Sequence, residues 1–414
     1  MIDFKKFELE NGLKVIVHKD SSTPIVAMNI LYDVGARDED PEKTGFAHLF
    51  EHLMFGGSEN IPKYDLPLEN AGGENNAFTN NDITNYYLTI PKQNLELAFW
   101  LESDRMNQLA FSPKSLDVQR NVVIEEFKQS YLNQPYGDVW LLLRPLAYKV
   151  HPYQWSTIGK DISHIENATM EDVKGFYDRF YNPSNAIMVI AGDVDVEQIK
   201  LLSEKWFAPI TNKGFFKREL PEEPVQKEAR ALTVERDVPI DAIYKAYHIC
   251  SRKDANYYAT DLISDVLSNG NSSRLYTRLV KEQKLFSEIN AYVTGDIDKG
   301  LLIVTGKLVK GIKMADAEKA ILMEVELLGK THIEKDELQK VKNKIESSLI
   351  FSETSALNKA MNLAYSELMG DADLINQEIG KYSAVTIDDI LRISKNIFKA
   401  ENSSTIYYYA KKQS

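Results

Sequence analysis

The pentapeptide His48-Leu49-Phe50-Glu51-His52 places two imidazoles and a carboxylate within five residues. On a helix, residues four apart lie on the same face about one turn from each other, so His48 and His52 can reach one cation. Zinc accepts nitrogen ligands at roughly 2.0–2.1 Å in a tetrahedral arrangement. Glu51 lies at the edge of that face, where it can reach a water on the metal without being a ligand. The order His-x-x-Glu-His reverses the common metalloprotease motif and predicts a catalytic zinc site.

Such a site needs a third protein ligand and an open position for water. The long helix predicted from residue 112 onward carries two neighbouring glutamates, Glu125 and Glu126. They point about 100° apart on a helix, so only one can face the metal. We favour Glu126 because Val122, Val123 and Phe127 indicate the buried stripe, and Glu126 lies between their positions. Glu125 is the alternative.

Two interpretations without a metal compete with the zinc site. The pentapeptide arises by chance in a chain of this length on the order of once in a hundred sequences. In the second interpretation, the two histidines are core residues whose ring nitrogens are satisfied by hydrogen bonds. Leu49, Phe50, Leu53 and Met54 indicate that the helix is buried, and two histidines and a glutamate are costly to bury without a purpose. The remaining histidines are isolated and are interpreted as ordinary: His18, His151, His164, His248 and His332.

Strand and helix patterns alternate along the chain. Asn11-Gly12 predicts a hairpin turn between alternating apolar residues, and 25–32 and 84–90 read as further strands. The helix at 44–55 precedes Gly56-Gly57, which is typical of a helix end. Interleaved strands and helices with many antiparallel signals predict an α+β fold in which helices pack on mostly antiparallel sheets.

Two short sequence matches indicate an internal repeat. Residues 169–181 resemble 386–398, and in each case an asparagine follows, Asn185 or Asn402, and leads into an apolar strand. Residues 24–27 similarly resemble 239–242. Two copies of one domain are the simplest explanation, although chance similarity explains short matches too. The predicted organisation is an N-terminal zinc-binding catalytic domain at 1–211, a linker at 212–230 and a homologous C-terminal domain without a metal site at 231–414.

The composition narrows the class of protein. The 414 residues carry a formal net charge of −12, which argues against nucleic acid as the main partner. The simplest explanation of the negative charge is solubility, and the alternative is an acidic cavity that favours basic peptides. No apolar run is long enough to span a membrane. Cys250 is the only cysteine, which excludes an internal disulfide. With no visible signal peptide, we expect a cytoplasmic protein; removal of a leader would make it periplasmic.

These motifs together resemble the pitrilysin, or insulinase, family of zinc peptidases, a group of inverzincins. The resemblance extends over nearly the whole chain, and its two-domain length is similar to that of the bacterial and mitochondrial-processing-peptidase-like members. It rests on four segments: GFAHLFEHLMF at 45–55, GGENNAFTNNDITNYY at 72–87, RNVVIEE at 120–126 and YNPSNAIMVIAGD at 181–193. The first segment is highly specific, and the others follow in the order that the family has.

The resemblance implies roles for individual residues. It makes His48, His52 and Glu126 the ligands of one zinc ion per chain, with Glu51 as the general base. It also implies that Asn76 and Ala77 lie on an exposed strand that pairs with an extended substrate. Phe55 matches an aromatic position beside the scissile bond. Family enzymes enclose a chamber, so short or unfolded peptides are the expected substrates.

The sequence departs from the family pattern at two places. Gln119 stands where the family often has a second glutamate, seven residues before the glutamate ligand; an amide can still orient a neighbour but adds no charge. Family enzymes also use an Arg and a Tyr seven residues apart, and Val280 and Ser287 occupy those positions here. The resemblance therefore implies a heterodimer in which a homologous subunit supplies the Arg and Tyr, with a homodimer as the other arrangement. Residues 262–267, which match the zinc helix, contain no histidine.

The predicted function is that of a zinc metalloendopeptidase. Two other functions are compatible with the same fold. One is a non-catalytic structural or processing subunit, although a scaffold has no need of Glu51. The other is a metal-free peptide-binding module, which predicts that no zinc is bound.

Overall fold

The computed structural model describes residues 1–214 and 216–411 as two compact units. The first comprises Met1–Lys128, Trp155–Leu220 and Leu349–Gln377, and the second comprises Gln129–Gln154, Pro221–Ser348 and the chain from Glu378 onward. Each unit contains one sheet with helices packed on it. The predicted α+β class is confirmed.

The sheet of the first unit has six strands in the order β1-β2-β6-β3-β5-β4. Only β2 and β6 run parallel, and the other neighbours are antiparallel. The turn between the first two strands contains Gly12, whose φ of 89° is a conformation that glycine adopts easily. The strands are β1 Lys5–Glu8, β2 Lys14–Lys19, β3 Ile25–Tyr32, β4 Glu74–Thr79, β5 Thr84–Pro91 and β6 Ala186–Gly192.

The sheet of the second unit has five strands in the order β7-β11-β8-β10-β9. The pair β7 and β11 is parallel and the others are antiparallel. The strands are β7 Arg230–Arg236, β8 Ala242–His248, β9 Phe286–Val293, β10 Leu301–Leu308 and β11 Ser403–Ala410.

None of the helices in the described part of the chain has the length and apolar composition that crossing a bilayer requires. Two short π-helical stretches occur, at Lys128–Leu132 and Tyr276–Glu282. The α-helices are α1 Phe46–Leu53, α2 Asp65–Asn70, α3 Leu95–Asn107, α4 Pro113–Phe127, α5 Val139–Ala147, α6 Ile162–Glu166, α7 Met170–Phe180, α8 Val196–Trp206, α9 Tyr257–Ser268, α10 Met314–Leu328, α11 Lys335–Ser352, α12 Ala356–Met369, α13 Leu374–Ala384 and α14 Ile387–Ile397.

The two units do not coincide with the contiguous segments 1–211 and 231–414. Helix α12 packs against β3 and β6 of the first sheet, where Ala360 and Leu363 join the core around Leu31 and Val189. Helix α5, in turn, packs against β8 and β11 of the second sheet. Each sheet is therefore covered partly by a helix from the other sequence segment, which local sequence patterns do not indicate.

The two units repeat the same local hydrogen bonds. The side-chain amide of Asn185 donates to Phe180 O and Asp33 O, at 2.9 and 3.2 Å. Asn402 donates in the same way to Ile397 O and His248 O, at 2.8 and 2.9 Å. The helices that precede them, α7 and α14, both begin with a Thr–Asp capping box. These matching hydrogen bonds support two copies of one domain.

Candidate metal centre

Helix α1 is held at its N-terminus by a buried carboxylate. Glu39 Oε2 accepts the N–H of Gly45 at 2.9 Å, and Oε1 accepts the N–H of Ala47 at 2.8 Å. These are two of the N–H groups that a helix start leaves unpaired. Gly45 precedes the helix with a φ of 89°. On the buried face, Leu49 and Phe50 have no exposed surface, so capping and burial together fix the rotation of the helix.

Helix α4 carries the third predicted ligand. The side chain of Ser112 caps it by accepting the N–H of Ser115 at 3.0 Å. Val123 and Phe127 are buried as predicted, but the prediction that Val122 belongs to the buried stripe is wrong. Val122 is 44% exposed, because it lies four residues before Glu126 and shares the open face of the helix.

The structure brings three predicted ligands together. Glu126 Oε2 lies 3.6 Å from His52 Nε2 and 3.7 Å from His48 Nε2. One ligand atom from each of the three residues lies within 4.8 Å of the others. Glu125 instead points outward, where its carboxylate is 2.7 Å from Lys128 Nζ. Of the two neighbouring glutamates, Glu126 is the one at the histidines.

The protonation states at this cluster suit a cation. Burial lowers the pKa of His48 to about 4, which keeps the ring neutral at neutral pH, the form that ligates metals. A hydrogen bond from His52 lowers the pKa of Glu126 and favours its carboxylate form. Two imidazoles and one carboxylate are a typical ligand set of catalytic zinc. The residues present therefore fit a zinc ion.

Glu51 lies beside this cluster, on the same helix. It is half-buried, and burial raises the pKa of its carboxyl group. Thr79, the last residue of β4, forms a hydrogen bond with it that opposes this rise. A glutamate with a raised pKa is suited to accept a proton near neutral pH. The strand predicted to bind substrate thus ends at the predicted general base.

Strand β4, which contains Asn76 and Ala77, forms the edge of its sheet. The N–H of Ala77 is not used in the ladder with β5; it donates to the side-chain oxygen of Asn76 at 2.8 Å. An edge with outward N–H groups is able to accept another strand. The predicted exposure of this strand is confirmed, and its pairing with substrate stays a prediction.

Phe55 lies directly after α1 and packs against other aromatic side chains. Its ring centroid is 5.9 Å from that of Tyr64 and 6.1 Å from that of Tyr86. The buried guanidinium of Arg105 lies over all three rings, with Cζ 4.5 Å from the centroids of Tyr64 and Tyr86 and 5.4 Å from that of Phe55. Glu102 pairs with the same guanidinium at 2.7 Å. This packing holds Phe55 in place.

The positions of the family's Arg and Tyr lie in the second unit. Val280 is part of the π-helical stretch Tyr276–Glu282 and is half-buried. Ser287 is exposed on the edge strand β9, and its hydroxyl donates to Lys307 O at 3.1 Å. A valine has no polar group for substrate, and the serine hydroxyl is bonded within its own sheet. At the two positions predicted to match the family's Arg and Tyr, this chain therefore has residues of other chemistry.

Sequence reasoning missed two residues that position the site, Glu39 and Thr79. Glu39 lies six residues before the first capped N–H, across an irregular loop, so no helical spacing relates it to the motif. Thr79 meets Glu51 only because β4 folds back against α1. Glu39 is one of four acidic residues between Asp38 and Glu42, so an acidic side chain before the helix is expected but the sequence does not single out Glu39.

Comparisons with known proteins identify the family of this chain. The family model described as "Insulinase (Peptidase family M16)" matches residues 14–158, and the model "Peptidase M16 inactive domain" matches residues 167–345. The chain belongs to the M16 peptidase family, which includes insulinase and pitrilysin. The zinc motif lies in the part that matches the first model, while Val280 and Ser287 lie in the part that matches the second.

Individual M16 proteins are similar along the whole chain. "Zinc protease PqqE" of Helicobacter pylori is 29% identical over 407 residues, which cover 96% of this chain and 91% of that protein. The crystal structure of a protease from Helicobacter pylori superposes with a TM-score of 0.92 at 28% identity, covering 99% of this chain and all of that one. An M16 inactive domain from Pseudomonas fluorescens has a TM-score of 0.89 at 16% identity, over 100% of this chain and 99% of that one, and shows the fold alone.

Proposed function

We propose that this chain is the zinc-bearing subunit of a metalloendopeptidase that hydrolyses peptide bonds in short or unfolded peptides. The observation that carries the proposal is the convergence of His48, His52 and Glu126, from two helices, with ligand atoms within 4.8 Å of one another. Relatives named as zinc proteases, such as the protein from Helicobacter pylori, support it.

His48, His52 and Glu126 would hold one zinc ion. When bound, zinc supplies Lewis-acid chemistry that activates water and polarises a carbonyl. A site of this kind keeps an open coordination position when three protein residues are its ligands. A scaffold has no use for two imidazoles that converge with a carboxylate on one point.

Glu51 acts as the general acid and base. Its carboxylate takes a proton from the attacking water and then gives that proton to the leaving amine. The raised pKa of this group matches the two-way transfer, because the proton is neither held too weakly nor released too slowly. Thr79 keeps the carboxyl group oriented through its hydrogen bond.

The substrate lies extended along β4. Its backbone pairs with the N–H of Ala77 after displacing the side chain of Asn76, which covers that N–H at 2.8 Å in the free chain. Phe55, held by Arg105 and the neighbouring tyrosines, lies beside the scissile bond. Because recognition uses the backbone, unfolded segments of varied sequence are accepted.

A homologous subunit completes the active form. Val280 and Ser287 cannot bind substrate or an oxyanion as the family's Arg and Tyr do, so those groups come from a partner of the same fold. A heterodimer is favoured over a homodimer, since a second copy of this chain has the same valine and serine.

One observation favours a different function, that of a non-catalytic subunit. Residues 167–345 match the model of an inactive M16 domain, and the chain alone has only one part of the family's substrate-contacting set. This function requires no turnover in any assembly. The intact pairing of Glu51 with three metal ligands favours the peptidase.

The experiment compares the chain alone with the chain plus a homologous subunit that has the family's Arg and Tyr. Cleavage of a quenched fluorescent peptide that appears on mixing, with about one zinc per chain, is the expected result. Cleavage by the chain alone would show that no partner is needed. Zinc without cleavage in either sample would favour the non-catalytic subunit.

A further inference from the structure

A groove in the second unit has no role in the proposed peptidase. It lies where β8 ends, between α9 and α14, and encloses about 350 Å³. Ile249, Ile393 and Ile397 form its apolar floor, and Lys299 and Lys399 lie at its rim. A volume above about 300 Å³ with an apolar floor and a few polar groups is typical of ligand pockets.

The internal repeat identifies the matching place in the first unit. Asn185 and Asn402 donate to equivalent carbonyls, so Phe180 corresponds to Ile397 and Asp33 corresponds to His248. His248 and Ile397 both line the groove of the second unit. The position beside Phe180 and Asp33 is therefore its counterpart.

In the first unit this counterpart is filled by the chain itself. The ring of Phe216 packs edge-on against that of Phe180, with centroids 4.9 Å apart. On the same ring of Phe216, Arg179 Cζ lies 4.1 Å from the centroid. Two residues later, Arg218 donates to Asp33 O at 2.8 Å and to Asp38 Oδ1 at 2.6 Å. One aromatic and one charged side chain, those of Phe216 and Arg218, thus occupy the place.

The second unit lacks the acidic group that binds the basic segment in the first unit, and it has one additional lysine. Asp33, which binds Arg218, is replaced by His248, and Lys399 corresponds to the neutral Asn182 by the spacing of the repeat. Glu223 lines the groove, but its carboxylate already accepts the N–H groups of three consecutive residues, 149–151, each at 2.9 Å.

The remaining charged side chains at the rim differ in whether they already have an ion-pair partner within the chain. Lys299 pairs with Glu222, and Arg392 pairs with Asp389 at 2.9 Å. Glu401 is the other acidic lining residue. Lys399 has no ion pair among the described residues, which makes it a free cation at the rim.

We propose that this groove binds an extended acidic segment of another protein, as the matching groove binds the chain's own basic segment. A large apolar side chain of the partner packs on Ile393 and Ile397, and a carboxylate of the partner pairs with Lys399. The site is independent of the zinc cluster, which belongs to the first unit.

Two labelled octapeptides test the proposal on the full chain by fluorescence polarisation. The first is KGFFKREL, the chain's own residues 213–220. The second, EGFFEDEL, keeps the aromatic pair and reverses the basic charges. We expect saturable binding of EGFFEDEL below about 1 mM, at least roughly fivefold tighter than that of KGFFKREL. No saturable binding of EGFFEDEL, or equal or tighter binding of KGFFKREL, would overturn the proposal.

Variants locate the binding in the groove. Lys399→Glu reverses the free cation and should weaken binding of EGFFEDEL roughly fivefold. Lys395→Glu is the matched control, because Lys395 is exposed on the same helix but does not line the groove. Asn396→Trp fills the groove from an exposed position and should abolish binding. Unchanged binding by Asn396→Trp, or equal effects of the two lysine variants, would contradict the proposal.

Discussion

Glu39 Oε1 accepts a hydrogen bond of 2.8 Å from the N–H of Ala47, the residue directly before His48, the first of the proposed metal ligands. The other oxygen of the same carboxylate holds the N–H of Gly45. A buried carboxyl group at a helix N-terminus satisfies N–H donors that would otherwise be unpaired. Glu39 therefore sets where helix α1 begins and in which direction its histidines point.

Replacement of this cap tests that role. Glu39→Ala leaves two N–H groups without their acceptor in a buried place and should lower the free energy of unfolding by roughly 1–3 kcal/mol. We also expect weaker zinc binding, because His48 loses its fixed position. Thermal unfolding and competition with a zinc chelator measure the two effects.

Glu42→Ala is the matched control for this variant. Glu42 belongs to the same loop, and its side chain is 82% exposed. If both alanine variants had the same stability and zinc affinity, Glu39 would not be a positioning residue.

The pH dependence of stability follows from the burial of Glu39. Burial raises the pKa of Glu39 to about 8, from an ordinary value of 4.5. Between these values the folded chain binds a proton that the unfolded chain does not, so this group's contribution to the free energy of unfolding falls as the pH rises. Glu39→Gln cannot titrate and should lose less stability than the wild type between about pH 5 and pH 8. Urea denaturation across this range measures the difference, and parallel profiles would count against the raised pKa.

Much of the site was predictable from sequence because its signals are local. The spacing of His48 and His52 places both on one face of any helix, whatever surrounds it. The choice between Glu125 and Glu126 needed more than the residues themselves, since the stripe that favoured Glu126 wrongly included Val122. The structure distinguishes the two glutamates, because Glu125 forms an ion pair with Lys128 and Glu126 does not.

The sequence predicted that the fold consists of sheets and helices. It did not predict that a helix from each half of the sequence packs on the sheet of the other half. Strand β3 occupies the predicted residues 25–32, because seven of its eight residues are apolar and turns precede and follow it. No local pattern indicates that α12 packs on the first sheet, since the apolar face of a helix fits any apolar surface. That choice depends on residues more than three hundred positions apart in the sequence, such as Ala27 and Ala360, which belong to one core.

Removal of the proposed general base should abolish peptide cleavage without removing zinc. Glu51→Gln keeps a side chain of the same shape but cannot take a proton, so we expect peptide cleavage to fall by at least roughly 100-fold while zinc stays bound. The control Glu125→Gln changes an outward-facing carboxylate and should retain both activity and zinc. Peptidase activity that survives in Glu51→Gln would rule out this residue as the base.

The edge strand should affect substrate binding and not zinc. Ala77→Pro removes the N–H that points away from the sheet, which costs no ladder hydrogen bond. We expect KM for an extended peptide to rise about tenfold, the effect of roughly one lost hydrogen bond. Ala77→Gly keeps the N–H and is the control. Equal KM values for the two variants would mean that substrate does not pair at this position.

The most direct test of the central claim is the zinc content of the wild type beside Glu126→Gln and Glu125→Gln. We predict about one zinc per chain in the wild type and in Glu125→Gln, and a large loss in Glu126→Gln. Elemental analysis after dialysis against a weak chelator gives the three values, and circular dichroism confirms that each variant is folded. Zinc that remains fully bound in Glu126→Gln, or a wild type without zinc, would contradict the metal centre.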